Sequence, residues 1–596
     1  MTDDMKACEQ GDALAEKRGE AEVVAGVTAV RAEADVPGDA ATVETAPGEA
    51  IVPGEATTAE AAEVSAAEAA EATDAATDNN VGRSAAMMSA LVIVSRLTGF
   101  FRTWGQAFAL GTTLLSSCYT VANNLPNQLY ELVIGGMLIT AFLPVYLDVR
   151  EHKGKEGANA YISNLLSILL VLLGVCFVLC LVFAAPLIWV QSAKTDQAQM
   201  ADGITLFRFF AIEIVLYCLS SLASGILNAE RDYFWSNAAP IFNNLITIAS
   251  FIGFAALVNV NYSAAFLILA LGNPLGVAVQ VLMQLPSLRR HGIKLTFRID
   301  LHDPALRETV GIGAPTLIVT ACSFVTTSVM TSMALAAVPE QGGSIQYYAR
   351  LWYTLPYAVL AVPITVAMFT EMSESFAKGD EHAFRRQVST GMGHVMFALI
   401  PFMVYLMVFS KPLMSLLRVG QFDAESANLT AAYLATLALA LPWYGLQTFF
   451  QKVFSAMRRM TLFALANVAA SVVQVAFTVG MVGVLGIHAV SLGSAIFMLM
   501  LCVVSLAFLH HAMGRIGIRG LVISSVRALV LGLAGGAVGA LVVWLMGGFG
   551  SLTITRALVV IVAGGIPSVL VTYGIAVALK LPEASFVSSI LRKFRR

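Results

Sequence analysis

The chain has 596 residues, 57% hydrophobic and 13% charged. A soluble chain carries about 25% charged residues, so this composition excludes a single soluble enzyme as the expected class. The formal net charge of −3 hides a segregation. Residues 1–80 hold 19 acidic and 4 basic side chains, and the rest of the chain holds 20 acidic and 32 basic. An acidic segment near −15 therefore precedes a body near +12.

Residues 1–80 are mostly Ala, Glu, Thr and Val, with no aromatic residue before Phe100. Nothing there can anchor a core, and a disordered acidic tail is expected. The start, MTDDMKACEQGD, lacks the basic stretch and apolar run of a signal peptide, so none is expected.

From residue 84 onward, apolar stretches of about 20 residues recur, the length that crosses hydrocarbon as a helix. Fourteen spans are expected, at 84–110, 119–147, 160–190, 204–228, 238–258, 262–286, 306–336, 345–370, 386–408, 428–456, 462–485, 488–512, 523–547 and 555–580. Alternating ten-residue strands are absent, which excludes a transmembrane barrel. Pro126, Pro315, Pro356, Pro363 and Pro442 fall inside spans. In bundles such prolines mark bends beside cavities or packing kinks.

Lysine and arginine orient the spans. The even-numbered connections and the C-terminus hold 22 of these residues, from Arg150 and Lys153 to Arg595 and Arg596. The odd connections hold four: Lys194, Lys411, Arg418 and Arg556. Basic residues mark cytoplasmic loops, so both termini are expected in the cytoplasm. The longest outward connection, 409–427, looks amphipathic.

An ionisable group within a span costs about 2.5–3.5 kcal/mol on insertion scales, so the few present are candidates for function. Arg96 and Arg102 lie in the first span, Glu131 in the second, Arg208 and Glu213 in the fourth, Arg350 in the eighth and Lys452 in the tenth. Arg96 and Arg102, six residues apart, differ by roughly 120° around a helix and 9 Å along it. Arg208 and Lys452, near helix ends, are read as snorkelling. An excess of buried arginine over acid points to an anionic cargo, because guanidinium keeps its charge and its donors match phosphate oxygens. Glu131 and Glu213 are candidates for ion coupling or charge pairing.

Seven cysteines (8, 118, 176, 180, 218, 322, 502) form no Cys-x-x-Cys pair, so neither a metal site nor a structural disulfide is expected. His510 and His511 read as a solvated helix edge. Gly532, Gly535, Gly536 and Gly539 permit close helix approach. No nucleotide-binding loop, Gly-x-Ser-x-Gly elbow or His-Glu-x-x-His stands in the chain. No cofactor, no enzymatic activity and no nucleic-acid partner are expected.

The stretches SRLTGFFR (95–102) and ANNLPNQLYELVIGGMLITAFLPVY (122–146) are followed in order by GILNAERDYFWSNAAPIFNN, QLPSLRRHGIKLTFRID, YYARLWYTLP, SESFAKGD and LLRVGQFD. This ordered set resembles the MurJ (MviN) lipid II flippase family of the MOP superfamily. The resemblance implies an all-α polytopic membrane protein with two pseudo-symmetric six-helix bundles (84–286 and 306–512), two additional helices (523–580) and a basic tail (581–596). It implies a cationic cavity between helices one, two, seven and eight, and transport of the undecaprenyl-pyrophosphate-linked peptidoglycan precursor by alternating access. Arg96 and Arg102 match the family's first-helix arginines, and Arg350 resembles its eighth-helix arginine, one residue early. The sequence departs from the family pattern at Ser117, Tyr130 and Gly135. The implied location is the bacterial cytoplasmic membrane, with membrane lipids and cell-wall synthesis proteins as candidate partners.

Alternatives are another lipid-linked polysaccharide flippase of the superfamily or a cation-coupled multidrug antiporter dependent on Glu131 or Glu213. A glycan polymerase would need a large outward loop with carboxylates, which the short loops argue against. A scaffold would tolerate loss of both first-span arginines.

Overall fold

The computed structural model describes residues 79–135, 142–193, 195, 199–514, 516–550 and 552–584. The acidic tail up to residue 78 and the basic tail beyond 584 fall outside these residues, as do Cys8 and Lys194. Among the described residues there is no strand.

The helices are α1 (Asn79–Leu110), α2 (Leu114–Tyr130), α3 (Leu143–Val182), α4 (Ala184–Gln191), α5 (Ala201–Phe210), α6 (Glu213–Ala229), α7 (Tyr233–Leu257), α8 (Tyr262–Arg290) and α9 (Pro304–Ala337). They continue as α10 (Gly342–Pro356), α11 (Val362–Ala377), α12 (Glu381–Ser415), α13 (Ala424–Leu437), α14 (Leu441–Ala456), α15 (Met460–Leu485), α16 (His488–Met513), α17 (Ile518–Leu545) and α18 (Ile554–Ala578).

Twelve helical segments among the described residues are long and apolar enough to cross a membrane. They match the third to fourteenth expected spans; the exact count of fourteen is not established. The first expected span falls within α1, whereas the second, 119–147, runs over most of α2, the turn at 131–135 and the first residues of α3, with 136–141 outside the described residues. Arg96 and Arg102 add charge to α1, and the Asn-rich run 123–128 makes α2 polar. The expected loop around Arg150 and Lys153 is instead helical, and α3 passes through it with one break at Gly154, whose φ is 65°. Glycine carries that angle without a Cβ penalty. The expected connection 409–427 is likewise shorter, because α12 runs to Ser415.

Helix starts are set by polar caps. Asn261, Asp380 and Asp423 accept from Ala264, Ala383 and Ser426 N–H groups at 3.1, 2.9 and 2.8 Å. Bends follow proline and local crowding. α2 contains Pro126 and passes into a π-turn, Glu131–Gly135. α10 ends at Pro356 and passes through a π-turn, Tyr357–Ala361, into α11, with Pro363 in its first turn. A 3₁₀ turn, Ala438–Ala440, joins α13 to α14, whose first turn holds Pro442. Such turns interrupt the regular ladder and re-aim side chains.

The apolar interior divides into two large clusters. One joins Phe207, Phe210, Phe251 and Tyr161 of the first half. The other joins Phe397, Phe449, Tyr433 and Tyr348 of the second. The packing repeats between them. α1 lies on α7 as α9 lies on α15, α2 on α5 as α10 on α13, and α7 on α8 as α15 on α16. α17 and α18 pack on each other and on α12.

Candidate functional site

Helical periodicity sends the two α1 arginines in different directions. Arg96, Phe100 and Thr103 share one face, at the i, i+4, i+7 spacing. That face meets α10: the Phe100 ring stands edge-on to Trp352 at 5.7 Å, and the Thr103 and Tyr347 hydroxyls are 3.4 Å apart. Arg102 shares its face with Thr98 and Gln106. Thr98 accepts from Asn244 of α7 at 3.1 Å, and Gln106 donates to Thr120 of α2 at 3.1 Å. Arg102 thus faces the first half's interior, within electrostatic reach of Tyr119, Glu213 and Tyr217.

Glu213 is fully buried at the start of α6. Its carboxylate accepts from the Tyr217 hydroxyl at 3.1 Å and from Asn273 Nδ2 at 3.0 Å. The same Asn273 amide donates to Asn123 of α2, and Thr247 of α7 donates to Asn273 Oδ1 at 3.3 Å. Four helices are therefore joined in one network, in which Asn273 links the carboxylate to α2 and α7. Buried charge is tolerated where donors and a counter-charge surround it, and Arg102 is the cation in reach. Glu131 stands apart, in the π-turn after α2, where it accepts from Asn127 at 3.2 Å.

Arg350 occupies a different setting. It lines a cavity inside the second half with Gln346, Tyr353, Tyr433, Tyr444 and Ser494. Among the described residues, the buried Tyr353 hydroxyl has no hydrogen-bond partner, and neither has the neighbouring Trp352 Nε1. Arg208 is exposed at the end of α5. The Lys452 ammonium lies 5.6 Å from the centre of the Phe369 ring.

The halves are joined by small hydroxyls at the end where α1 finishes. Thr112 and Ser426 are 2.6 Å apart, and Ser116 and Tyr348 3.1 Å. Tyr348 also lies within hydrogen-bonding distance of the Gly111 carbonyl, at 2.8 Å. The Gln421 N–H donates to the Phe108 carbonyl at 3.1 Å. Gly111 and Gly420, with φ of 58° and 56°, allow this approach: a Cβ on either would collide with the carbonyl oxygen of Gln421 or Phe108 respectively.

The structure thus brings Arg102 to Glu213, sets Arg96 on the seam between halves, and places Arg350 among tyrosines. Charge alone did not reveal Asn123, Asn273, Tyr353 or Tyr433. Neutral polar residues recurring inside apolar spans were the available signal.

The family model "Lipid II flippase MurJ" matches residues 106–560, so Arg96 and Arg102 precede the matched segment. The chain is 26% identical over 369 residues to "Probable lipid II flippase MurJ" of Rhizobium meliloti (strain 1021), covering 61% of this chain and 68% of that protein. In fold it is similar to "Lipid II flippase MurJ, inward closed conformation", with TM-score 0.67 and 19% identity, covering 82% of this chain and 99% of the other. An inward-facing multidrug resistance MATE family transporter of the MOP superfamily shares the fold at TM-score 0.61 and 13% identity, covering 70% of this chain and 95% of the other. The family match spans most of the membrane body, and the chain is a multi-pass membrane protein that belongs to the MurJ lipid II flippase family.

Proposed function

We propose that the protein moves the undecaprenyl-pyrophosphate-linked peptidoglycan precursor across the cytoplasmic membrane by alternating access. Arg96 and Arg102 bind the pyrophosphate, and Arg350 supports the site from the second half. The two moving bodies are residues 84–286 and 306–512, with 523–580 as added helices. Both termini lie in the cytoplasm, so the hydroxyl-joined end of the seam faces outward and the arginine end inward.

One observation carries this reading. Arg96 lies on the α1 face that meets α10, while the outer end of the same seam is closed by short hydroxyl contacts and two glycine approaches. Such contacts contain no ion pair and separate at modest cost, about 0.5–1.5 kcal/mol per hydrogen bond. Rocking one bundle against the other then exposes the arginines outward. A fixed charge moved through the field responds to membrane potential by about 2.3 kcal/mol per 100 mV.

A cation-coupled exporter is the second reading, favoured by the buried Glu213 network. Complementation of a strain depleted of its lipid II flippase separates the two. Wild type is expected to restore growth, and Arg96→Ala and Arg102→Ala to fail at equal membrane level. Failure of inserted wild type sinks the assignment. Rescue by both variants sinks the arginine mechanism.

A further inference from the structure

Basic residues are scarce on the odd connections, yet three of the four converge on one turn, the link between α17 and α18. Lys411 Nζ donates to the Phe549 carbonyl at 2.8 Å. Arg418 Nη1 donates to Leu552 at 2.5 Å, and Arg556 Nη2 to Met546 at 2.9 Å. These bonds use one of the three Lys411 donors and one of the five of Arg418. Among the described residues, neither Lys411 nor Arg418 forms an ion pair.

A cavity opens beside these two side chains. Its wall includes Lys411, Ser415, Arg418, Asn428 and Gly550, and no carboxylate lines it among the described residues. Capping of backbone carbonyls explains one bond for each cation. It does not explain why both charges border a common cavity.

The surroundings identify the ligand. Met407, one turn along α12 from Lys411, is 39% exposed. Trp544 and Leu545 at the end of α17 are 66% and 68% exposed, and Phe549 in the turn 46%. Exposed aromatic and aliphatic side chains at a helix end mark the membrane interface. A cationic pocket bordered by such a surface fits a molecule with a phosphate at one end and hydrocarbon at the other. Free phosphate would leave the apolar border without a role.

We propose that Lys411 and Arg418 hold the phosphate of an anionic phospholipid, whose chains lie along the apolar surface beside Met407 and Trp544. The bound lipid bridges α12 to the α17–α18 turn. This assignment is independent of the cargo.

The test uses the full-length protein in detergent and native mass spectrometry with phosphatidylglycerol or phosphatidylcholine. Wild type is expected to retain phosphatidylglycerol in preference, by about fivefold for each of the two charges. Lys411→Gln with Arg418→Gln is expected to lose that preference, and Lys411→Arg to keep it. If the double variant does not fold, Lys411→Gln alone decides, since its lost bond is to one exposed carbonyl. Unchanged preference in a folded Gln variant overturns the proposal. Displacement of the lipid by millimolar inorganic phosphate also overturns it, and identifies a free-anion site.

Discussion

Ser344 lies 227 residues beyond Ser117, and its backbone N–H donates to the Ser117 hydroxyl at 3.2 Å. The same displacement relates other features of the two halves. Arg231 and Arg458 both adopt positive φ, 61° and 54°, directly after α6 and α14. Each closes its helix in the same way, with N–H bonds to Asn228 and Ser455 at 3.0 and 2.8 Å. The π-turns after α2 and α10 correspond, as do the breaks before α6 and α14. Ser117 and Ser344 are therefore equivalent positions that meet where the two repeats touch. Asn123 and Arg350 are equivalent in the same register, so the first half holds an acid-centred network where the second holds an arginine.

That meeting point predicts a reversible lock. In a protein freed of its native cysteines, Ser117→Cys with Ser344→Cys is expected to form a disulfide under mild oxidation. The serine hydroxyls are 3.5 Å apart, and only small adjustment brings sulfurs to bonding distance. Flipping in proteoliposomes should stop on oxidation and return with reductant. Full activity of the cross-linked protein would show that this end of the seam need not open.

The arginines should differ in rank. Losing a charge-assisted bond to phosphate costs about 1.5–3 kcal/mol, or roughly ten- to hundredfold in affinity. Arg96→Ala is expected to weaken lipid II binding within that range. Arg102→Ala should weaken binding and also lower stability, because it leaves Glu213 buried without its cation. Binding and melting measured on the same preparations separate these effects; wild-type stability of Arg102→Ala would contradict the Arg102–Glu213 relationship.

Glu213 anchors Asn273, which in turn bonds α2 and α7. Glu213→Ala removes the acceptor for Tyr217 and Asn273, and each stranded donor costs about 1–3 kcal/mol. Glu213→Gln keeps the shape and one acceptor, so it should melt closer to wild type. If Gln also abolishes transport while folding normally, the charge serves ion coupling rather than structure.

Glycines in α18 give an internal control. A Cβ at Gly564 would stand 2.8 Å from the Phe409 ring, and one at Gly565 would meet nothing within 4 Å. Gly565→Ala is expected to stabilise by about 0.5–1 kcal/mol, and Gly564→Ala to destabilise. Opposite signs in a detergent melting series would establish that the α12–α18 contact is close-packed; equal signs would refute it.

Asp423 caps α13 and accepts from the Ser426 N–H, which holds its carboxyl below the usual aspartate range. A depressed value means that the stabilising contribution is fully present above the unfolded value of about 3.9 and is lost as pH falls through the folded one. Asp423→Ala should cost about 0.5–2 kcal/mol at neutral pH. The difference from wild type should shrink in acid, and a pH-independent difference would rule out the charged cap.

Much of this was legible in the amino-acid order alone. Apolar run length located the third to fourteenth spans, because insertion depends on a local sum of transfer energies. Ordered motifs carried the family resemblance, and the uneven lysine and arginine content carried the expected orientation. The rarity of intramembrane charge singled out Arg96, Arg102, Arg350, Glu131 and Glu213. What these groups face depends on how the helices pack. Periodicity separated Arg96 from Arg102 by an angle, but the packing of α1 between α7 and α10 turned that angle into a seam for one and a carboxylate for the other. Arg350 reads alike in sequence, yet the bend after Pro356 and the tyrosines of α13 and α14 enclose it. Cost of insertion is additive along a chain; the direction of a side chain depends on which helices arrive beside it from hundreds of residues away.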